Sequence, residues 1–506
     1  MASQPAQPPS TRSEWAYEDV QEAQMTADAD LDFPETCDIA RETVKHEAAP
    51  FQESANPIIA AFQTNNMVQR IASGLLLGGA VTVYLCLGPA AAPIYLCSMV
   101  VAVCNYEYAW LSHRIAHRFT AAYAFRYHGE AAADSLPLDV HSVAASRLPC
   151  GSRHPKIVAG AAAFLITGIV TGIFLIFQHR YFHYQTVQYV NIYQKTLVYT
   201  WLDFILLISI STWITIFSAL MTPTLTAAIN AIVQQFVYSW AVLNFFTCFL
   251  YDTNCFNVMS SGPGRMNVVI FVMMNRVAWW RSVTPLHAIN SVLHVMLDCI
   301  GFAYISMLIS PMSALLMQVD QGARIALGFL AVVWGVDTGA YFCGHLLSSL
   351  RFKHSHFLAR HISPNKDIEG SIGGIIVGLA ATLLVDALWS QESGIAVDDK
   401  VKKQNQYRQI WRIIFAIVGG AISRYGDLFA SLLKRLAGVK DTGTLIPGHG
   451  GLLDRVDAML FLGAVFVLYH RIAFPGGYDS DISNTLLTYL NIQNKVLRAQ
   501  SGNGAT

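Results

Sequence analysis

The chain has 506 residues, of which 54% are hydrophobic and only 13% charged, against about 25% charged in an average soluble domain. With a mean hydropathy of +0.40, this composition points to lipid as the solvent for much of the chain. Lys plus Arg and Asp plus Glu balance at 33 each, which excludes the global basic field of a nucleic-acid-binding chain.

Residues 1–68 hold twelve Asp or Glu against three Lys or Arg, with Pro5, Pro8 and Pro9 near the start. That pattern predicts an acidic, disordered tail. It lacks a basic segment followed by an apolar one, so the first true span is expected to direct insertion. The nine cysteines form no C-x-x-C pair and lie mostly in apolar stretches, so they read as free thiols.

A helix needs roughly 20 predominantly apolar residues to cross a bilayer. Stretches near 71–88, 92–112, 157–177, 199–220, 229–250, 291–316, 325–345, 371–390, 409–430 and 457–474 meet that need. A shorter run from Val268 to Trp280 makes an eleventh candidate. The predicted fold is therefore all-α, a polytopic transmembrane bundle of about ten or eleven spans. It divides into the tail (1–68), a first set of membrane helices with polar loops (69–290), a second set (291–474), and a C-terminal tail (475–506) in which Leu486 to Leu497 has the makings of an amphipathic helix. Loops 113–156, 346–370 and 431–456 are long, polar and rich in Lys and Arg. If the short run spans, all three share the side of the acidic tail, which the positive-inside rule makes cytoplasmic.

The densest chemistry lies at Ser431-Leu-Leu-Lys434-Arg435, Lys440-Asp441 and Pro447-Gly448-His449-Gly450-Gly451-Leu-Leu-Asp454-Arg455-Val-Asp457. Asp454 and Asp457 at i and i+3 point from one face if a helix starts near them. Such a pair suits a hard divalent cation, because Mg²⁺ typically takes one or two carboxylates plus substrate phosphates. The glycines permit close backbone approach to an anion, and the N-terminus of the following helix is expected to add donors of its own. Upstream, Asp427, Ser431 and Lys434 fall at i, i+4 and i+7 and share a helical face. Asp337 stands inside a predicted span, where an acid is a functional candidate by default.

These segments resemble the phosphatidate cytidylyltransferase (CDP-diacylglycerol synthase) family. The pattern S-x-x-K-R-x(4)-K-D followed by P-x-H-G-G-x-x-D-R-x-D is filled at every fixed position. Gly426-Asp427-Leu, Asp337-Thr-Gly-Ala-Tyr341 and Ser363-Pro-Asn-Lys366-Asp-Ile-Glu369-Gly-Ser-Ile-Gly-Gly match further family segments, except that Asp367 and Ile368 stand where Thr and Trp are usual. The resemblance covers about 330–474, with a weaker echo in 69–89; residues 1–68 and 105–290 match no familiar pattern.

The resemblance implies condensation of CTP with phosphatidate at the 291–474 domain, releasing pyrophosphate. It implies Lys366, Lys434, Arg435, Lys440, Asp441, Asp454 and Arg455 as catalytic residues, and Asp337, Tyr341, Ser363, Glu369, Ser431, His449, Gly450 and Gly451 as substrate-binding residues. Asp427, Asp454 and Asp457 are expected to hold Mg²⁺. Expected partners are CTP, phosphatidate, the lipid bilayer and a second copy in a homodimer, with no nucleic acid; the expected location is the endoplasmic reticulum membrane, with the site facing the cytoplasm. Three other readings are weaker. A CTP-dependent polyprenol (dolichol) kinase would lack one of the two main elements, and a transporter lined by Asp337 would leave the loop chemistry unexplained. The His113/His117, His128 and His179/His183 spacing lacks the H-x-x-H-H of a di-iron oxygenase.

Overall fold

The computed structural model describes residues 66–87, 92–128, 142–182, 187–190, 196–199, 201–251, 262–278, 284–318, 322–350, 356–390, 399–443, 445–446 and 450–473. The expected tail (described only from Asn66), the expected C-terminal amphipathic helix and His449 lie outside them. Helices dominate. They are α1 (Asn66–Leu87), α2 (Ala92–His128), α3 (Pro155–Phe177), α4 (Trp201–Leu220), α5 (Leu225–Tyr251), α6 (Gly262–Ala278), α7 (Pro285–Gly301), α8 (Met307–Gln318), α9 (Gly322–Ser349), α10 (Ile368–Ser390), α11 (Asp399–Ala437) and α12 (Leu453–Ala473). A π-helical turn, Phe302–Ser306, joins α7 to α8 without a break.

Each predicted span coincides with a helix, and Val268 to Trp280 falls largely in α6. Six stretches among the described residues are long and apolar enough to cross a membrane: Ala92–Tyr127, Pro155–Arg180, Pro285–Ser310, Ala326–Leu347, Ile368–Val385 and Gln406–Ala437. Ala72–Leu87, Phe204–Leu220 and Val269–Ala278 are shorter apolar helices. A lipid-spanning chain satisfies its backbone within helices, and Pro155 and Pro285 each open one at a first-turn position that needs no N–H.

Three expectations are corrected. The polar loop placed at 113–156 is helical as far as His128, so α2 carries its basic residues beyond the apolar segment. The loop placed at 431–456 starts later, because Ser431, Lys434 and Arg435 belong to the last turns of α11. The fold is also not purely helical. β1 (Val187–Val190) pairs antiparallel with β2 (Thr196–Tyr199), and β3 (Phe357–Ala359) pairs antiparallel with β4 (Ser363–Asp367). Ser363 and Lys366 therefore ride on a strand where the sequence predicts a loop.

Small residues and buried polar bonds hold the helices together, since lipid-facing apolar surface gives helices little reason to associate. α9 and α10 form the most extensive pairing. A Cβ on Gly335 would lie 2.7 Å from the Gly378 Cα, so their backbones nearly touch. Elsewhere, Gln235 on α5 donates to Ser98 on α2 and Ser211 on α4 at 2.8 and 2.9 Å. A second polar knot joins α5, α6 and α7. Arg276 grips Asp298 bidentately, its Nη2 donating to Oδ1 at 3.1 Å. Asn230 adds a bond to Oδ2 at 2.8 Å, and Asn275 donates to Asn230 at 2.7 Å. Cys86, Cys97, Cys104, Cys150, Cys299 and Cys343 are free thiols, as expected.

Candidate active site

The site gathers at one end of the bundle, where α11, α12, the β3–β4 hairpin, α9 and α2 meet. α11 ends on Gly438 in the left-handed region, φ +71°. Its N–H bonds the Arg435 carbonyl and the Val439 N–H bonds the Lys434 carbonyl, both at 3.0 Å, closing a Schellman turn. Arg118 from α2 donates to the last carbonyls, Arg435 O at 3.0 Å and Leu436 O at 3.1 Å. A cation there also complements the helix dipole. This turn fixes the direction in which Lys434 projects.

Asp427, Ser431 and Lys434 share a face of α11, as their spacing predicts. Lys366 crosses from β4 to that face: its Nζ lies 2.7 Å from Asp427 Oδ2 and 3.4 Å from Ser431 Oγ. Burial pushes the Lys366 ammonium down from its ordinary value, and the adjacent Asp427 carboxylate pushes it back up. Arg424, one turn before Asp427, reaches Asp337 on α9 at 3.4 Å and Asp427 at 3.8 Å. The Asp337 side chain stays 50% exposed. An acid open to that degree beside an arginine is not part of a packed core.

α12 begins at Leu453, so Asp454 and Asp457 do fall within its first turns. Both are buried, yet they do different work. Asp454 Oδ1 accepts Lys434 Nζ at 2.9 Å. Its Oδ2 accepts the Thr442 N–H at 2.8 Å and the Gly451 N–H at 3.0 Å, with the Thr442 hydroxyl oxygen 3.0 Å away. Asp457 Oδ1 accepts the Ala458 N–H at 2.7 Å, and the side chain sits in the electrostatic field of Asp427, Lys434 and Asp337.

Among the described residues no three acidic, histidine or cysteine side chains are gathered as an ion site; of the expected trio Asp427, Asp454 and Asp457, Asp454 is engaged by the Lys434 ammonium and by the Thr442 and Gly451 N–H groups. The expectation of free backbone donors ahead of α12 does change. Gly451 gives its N–H to Asp454, while Leu452 and Leu453 give theirs to Glu107 of α2 at 2.8 and 2.7 Å.

Gly450 and Gly451 line the turn before α12. Gly450 holds φ +80°, and a Cβ there would lie 2.8 Å from Asp454 Oδ2. A Cβ on Gly451 would collide with the Thr442 hydroxyl and the Glu107 carboxylate. Glycine is needed here so that two carboxylates can reach the turn.

The remaining candidates make fewer contacts with this cluster. Arg435 Nε donates to the Ile362 carbonyl in the hairpin turn at 3.4 Å. Glu369 receives His356 Nδ1 at 2.6 Å and the His356 N–H, clasping the base of the hairpin. Asp367, one of the two departures from the family pattern, caps α10 by accepting the Gly370 N–H at 3.2 Å. Tyr341 is exposed and packs edge-on against His345. Lys440, Asp441 and Arg455 are exposed; Ser363 lies partly buried on β4.

Three residues escaped the sequence reading. Glu107 and Arg118 lie on α2, and Tyr304 lies on the π-helical turn. The Tyr304 hydroxyl is buried without a hydrogen-bond partner, in the field of Asp457, Asp427 and Asp454. An intramembrane acid is the one signal that could have revealed Glu107.

Comparison with known proteins shows the family. The model of the cytidylyltransferase family matches residues 192–473, a stretch that starts well before the segments recognised from motifs and includes α4 to α12. A phosphatidate cytidylyltransferase of Brucella suis biovar 1 (strain 1330) is 35% identical over 165 residues, 32% of this chain and 53% of the relative. One of Staphylococcus epidermidis is 37% identical over 144 residues, 28% and 47% of the two chains. One of Synechocystis sp. is 34% identical over 154 residues, 30% and 45%. The chain thus spans about half the length of the curated relatives it matches. The match over more than half of its own length, carrying the Lys366, Asp427, Lys434 and Asp454 constellation, makes this chain a member of the cytidylyltransferase family.

Proposed function

We propose that the chain is an integral membrane phosphatidate cytidylyltransferase, joining CTP and phosphatidate into CDP-diacylglycerol with release of pyrophosphate. The observation that carries this reading is the interleaving of cations and acids where α11, α12 and β4 meet: Lys366 against Asp427 and Lys434 against Asp454, with Asp457 between them in the charge network. A site that only stabilised helix ends would have no use for an exposed acid such as Asp337 beside Arg424.

In the reaction a phosphate oxygen of phosphatidate attacks the α-phosphorus of CTP. The new P–O bond forms as the α–β P–O bond breaks, and pyrophosphate leaves with that electron pair. A phosphate monoester with a second pKa near 6 is mostly dianionic at pH 7, so no general base is required. The protein's task is alignment and charge neutralisation. Lys366 and Arg424 face the open side and suit the lipid phosphate. Lys434 and Arg435, fixed by the turn that ends α11, suit the nucleotide phosphates.

A divalent ion fits this donor set, though through fewer residues than the sequence suggests. Asp427 and Asp457 are the acids we assign to hold Mg²⁺ together with substrate phosphates, Asp454 being already engaged by Lys434, Thr442 and Gly451. The orphaned Tyr304 hydroxyl nearby suits an oxygen of a hydrated ion or phosphate. When bound, the ion would supply charge to the triphosphate and the leaving pyrophosphate. We propose an endoplasmic reticulum membrane location on the acidic N-terminal segment and the stretches that match no family pattern, and a cytoplasmic orientation of this end on the Lys and Arg content of its polar segments.

The test is a turnover assay on the purified full chain in liposomes containing phosphatidate, with Mg²⁺ omitted and then restored. Label from the α-phosphate of CTP is expected to enter lipid only when Mg²⁺ is present. Lipid labelled from the γ-phosphate alone would identify a kinase and overturn the assignment.

A further inference from the structure

Glu107 lies in the middle of α2, 2% exposed and outside the residues matched by the family. An acid buried in a membrane helix is costly unless its oxygens are fully engaged. Here Oε1 accepts the Leu452 N–H at 2.8 Å, and Oε2 accepts the Leu453 N–H at 2.7 Å and the Thr442 hydroxyl at 3.0 Å. The same hydroxyl lies 3.0 Å from Asp454 Oδ2. With the single hydroxyl proton given to Glu107, Thr442 bridges the two carboxylates because its N–H stays on Asp454 Oδ2 at 2.8 Å, and Asp454 in turn holds Lys434.

The contacts form one continuous chain: Glu107, Thr442, Asp454, Lys434. Gly451 is part of it, because only a residue without a side chain leaves room for Glu107. We propose that Glu107 is a positioning residue for the nucleotide site, a carboxylate from outside the matched domain that seats the first turn of α12 and the 441–451 loop so that Lys434 points at the nucleotide phosphates. This rests on the function proposed above. Glu107 needs no contact with substrate, and groups that orient direct ligands typically matter by about 10- to 100-fold.

Glu107→Gln is the direct test, because an amide keeps the shape but in either orientation turns its NH2 toward one of the two N–H groups, Leu452 or Leu453, that the carboxylate accepts. The full-length variant in detergent is expected to show a KM for CTP raised about 10- to 100-fold, with the KM for phosphatidate unchanged. Amide hydrogen exchange is expected to quicken at Gly451, Leu452 and Leu453 but not in α9. A purely structural role would lower the amount of folded protein and leave the KM for CTP alone, and that result overturns the proposal, as does unchanged exchange at 451–453. If Glu107→Gln does not fold, Thr442→Val decides: it must raise the KM for CTP in the same selective way, and an unchanged value overturns the proposal. Should the wild-type chain prove inactive with CTP and phosphatidate, the functional assignment fails, while the exchange experiment still tests the role of Glu107.

Discussion

Two buried acids in this bundle sit in opposite circumstances. Asp298, between α5, α6 and α7, is closed in by a bidentate Arg276 and by Asn230, which is itself held by Asn275. Asp337, between α9 and α11, has one arginine at 3.4 Å and half its side chain exposed. The first knot leaves no oxygen for anything else and reads as a rivet between helices. The second is only half enclosed, and Lys366 and Asp427 stand beside it. In a membrane domain, the completeness of an acid's partners separates a structural charge from a chemical one better than its burial does.

That contrast breaks if the two regions respond alike to mutation. Asp298→Ala strands the Arg276 guanidinium and is expected to cost about 3–5 kcal/mol of stability, read as a lower thermal midpoint in detergent. Turnover per folded molecule should change by no more than about twofold, since distant sites act independently. Replacing both partners, Asp298→Leu with Arg276→Met, should restore most of the midpoint. Lys366→Ala is the converse, with an expected loss of about 100- to 1,000-fold in kcat/KM and a nearly unchanged midpoint. Gly450→Ala sharpens the comparison on a smaller scale. Its left-handed backbone disfavours a side chain by about 1–2 kcal/mol, and the added Cβ presses on Asp454, so stability and the KM for CTP should shift together.

How much of this was readable beforehand varies by residue. The i, i+4, i+7 spacing of Asp427, Ser431 and Lys434 gave a shared face that the helix reproduces, and Asp454 with Asp457 opened α12 as expected. Lys366 was expected at a phosphate site, but its strand was not, because Ser363-Pro364 reads as turn chemistry, Ser363–Asp367 carries no apolar alternation and its hairpin partner Phe357–Ala359 is only three residues long. The extension of α2 to His128 was hidden for a similar reason. Its charged residues break the apolar pattern, yet Arg118 stays helical because it meets the end of α11. Asp454 offered the right spacing for a metal ligand, and only tertiary neighbours, Thr442 and Gly451, reveal that its lone pairs are occupied.

The bond from Leu452 to Glu107 joins positions 345 residues apart. Chains are made from the N-terminus at about 5–20 residues per second, so α2 enters the bilayer tens of seconds before its partner exists. Throughout that interval a lone acid must be sheltered by water, a proton or provisional contacts. Maturation of this end of the protein is therefore gated by the late arrival of α12, and a chain halted before residue 451 lacks the turn and helix that Glu107 holds.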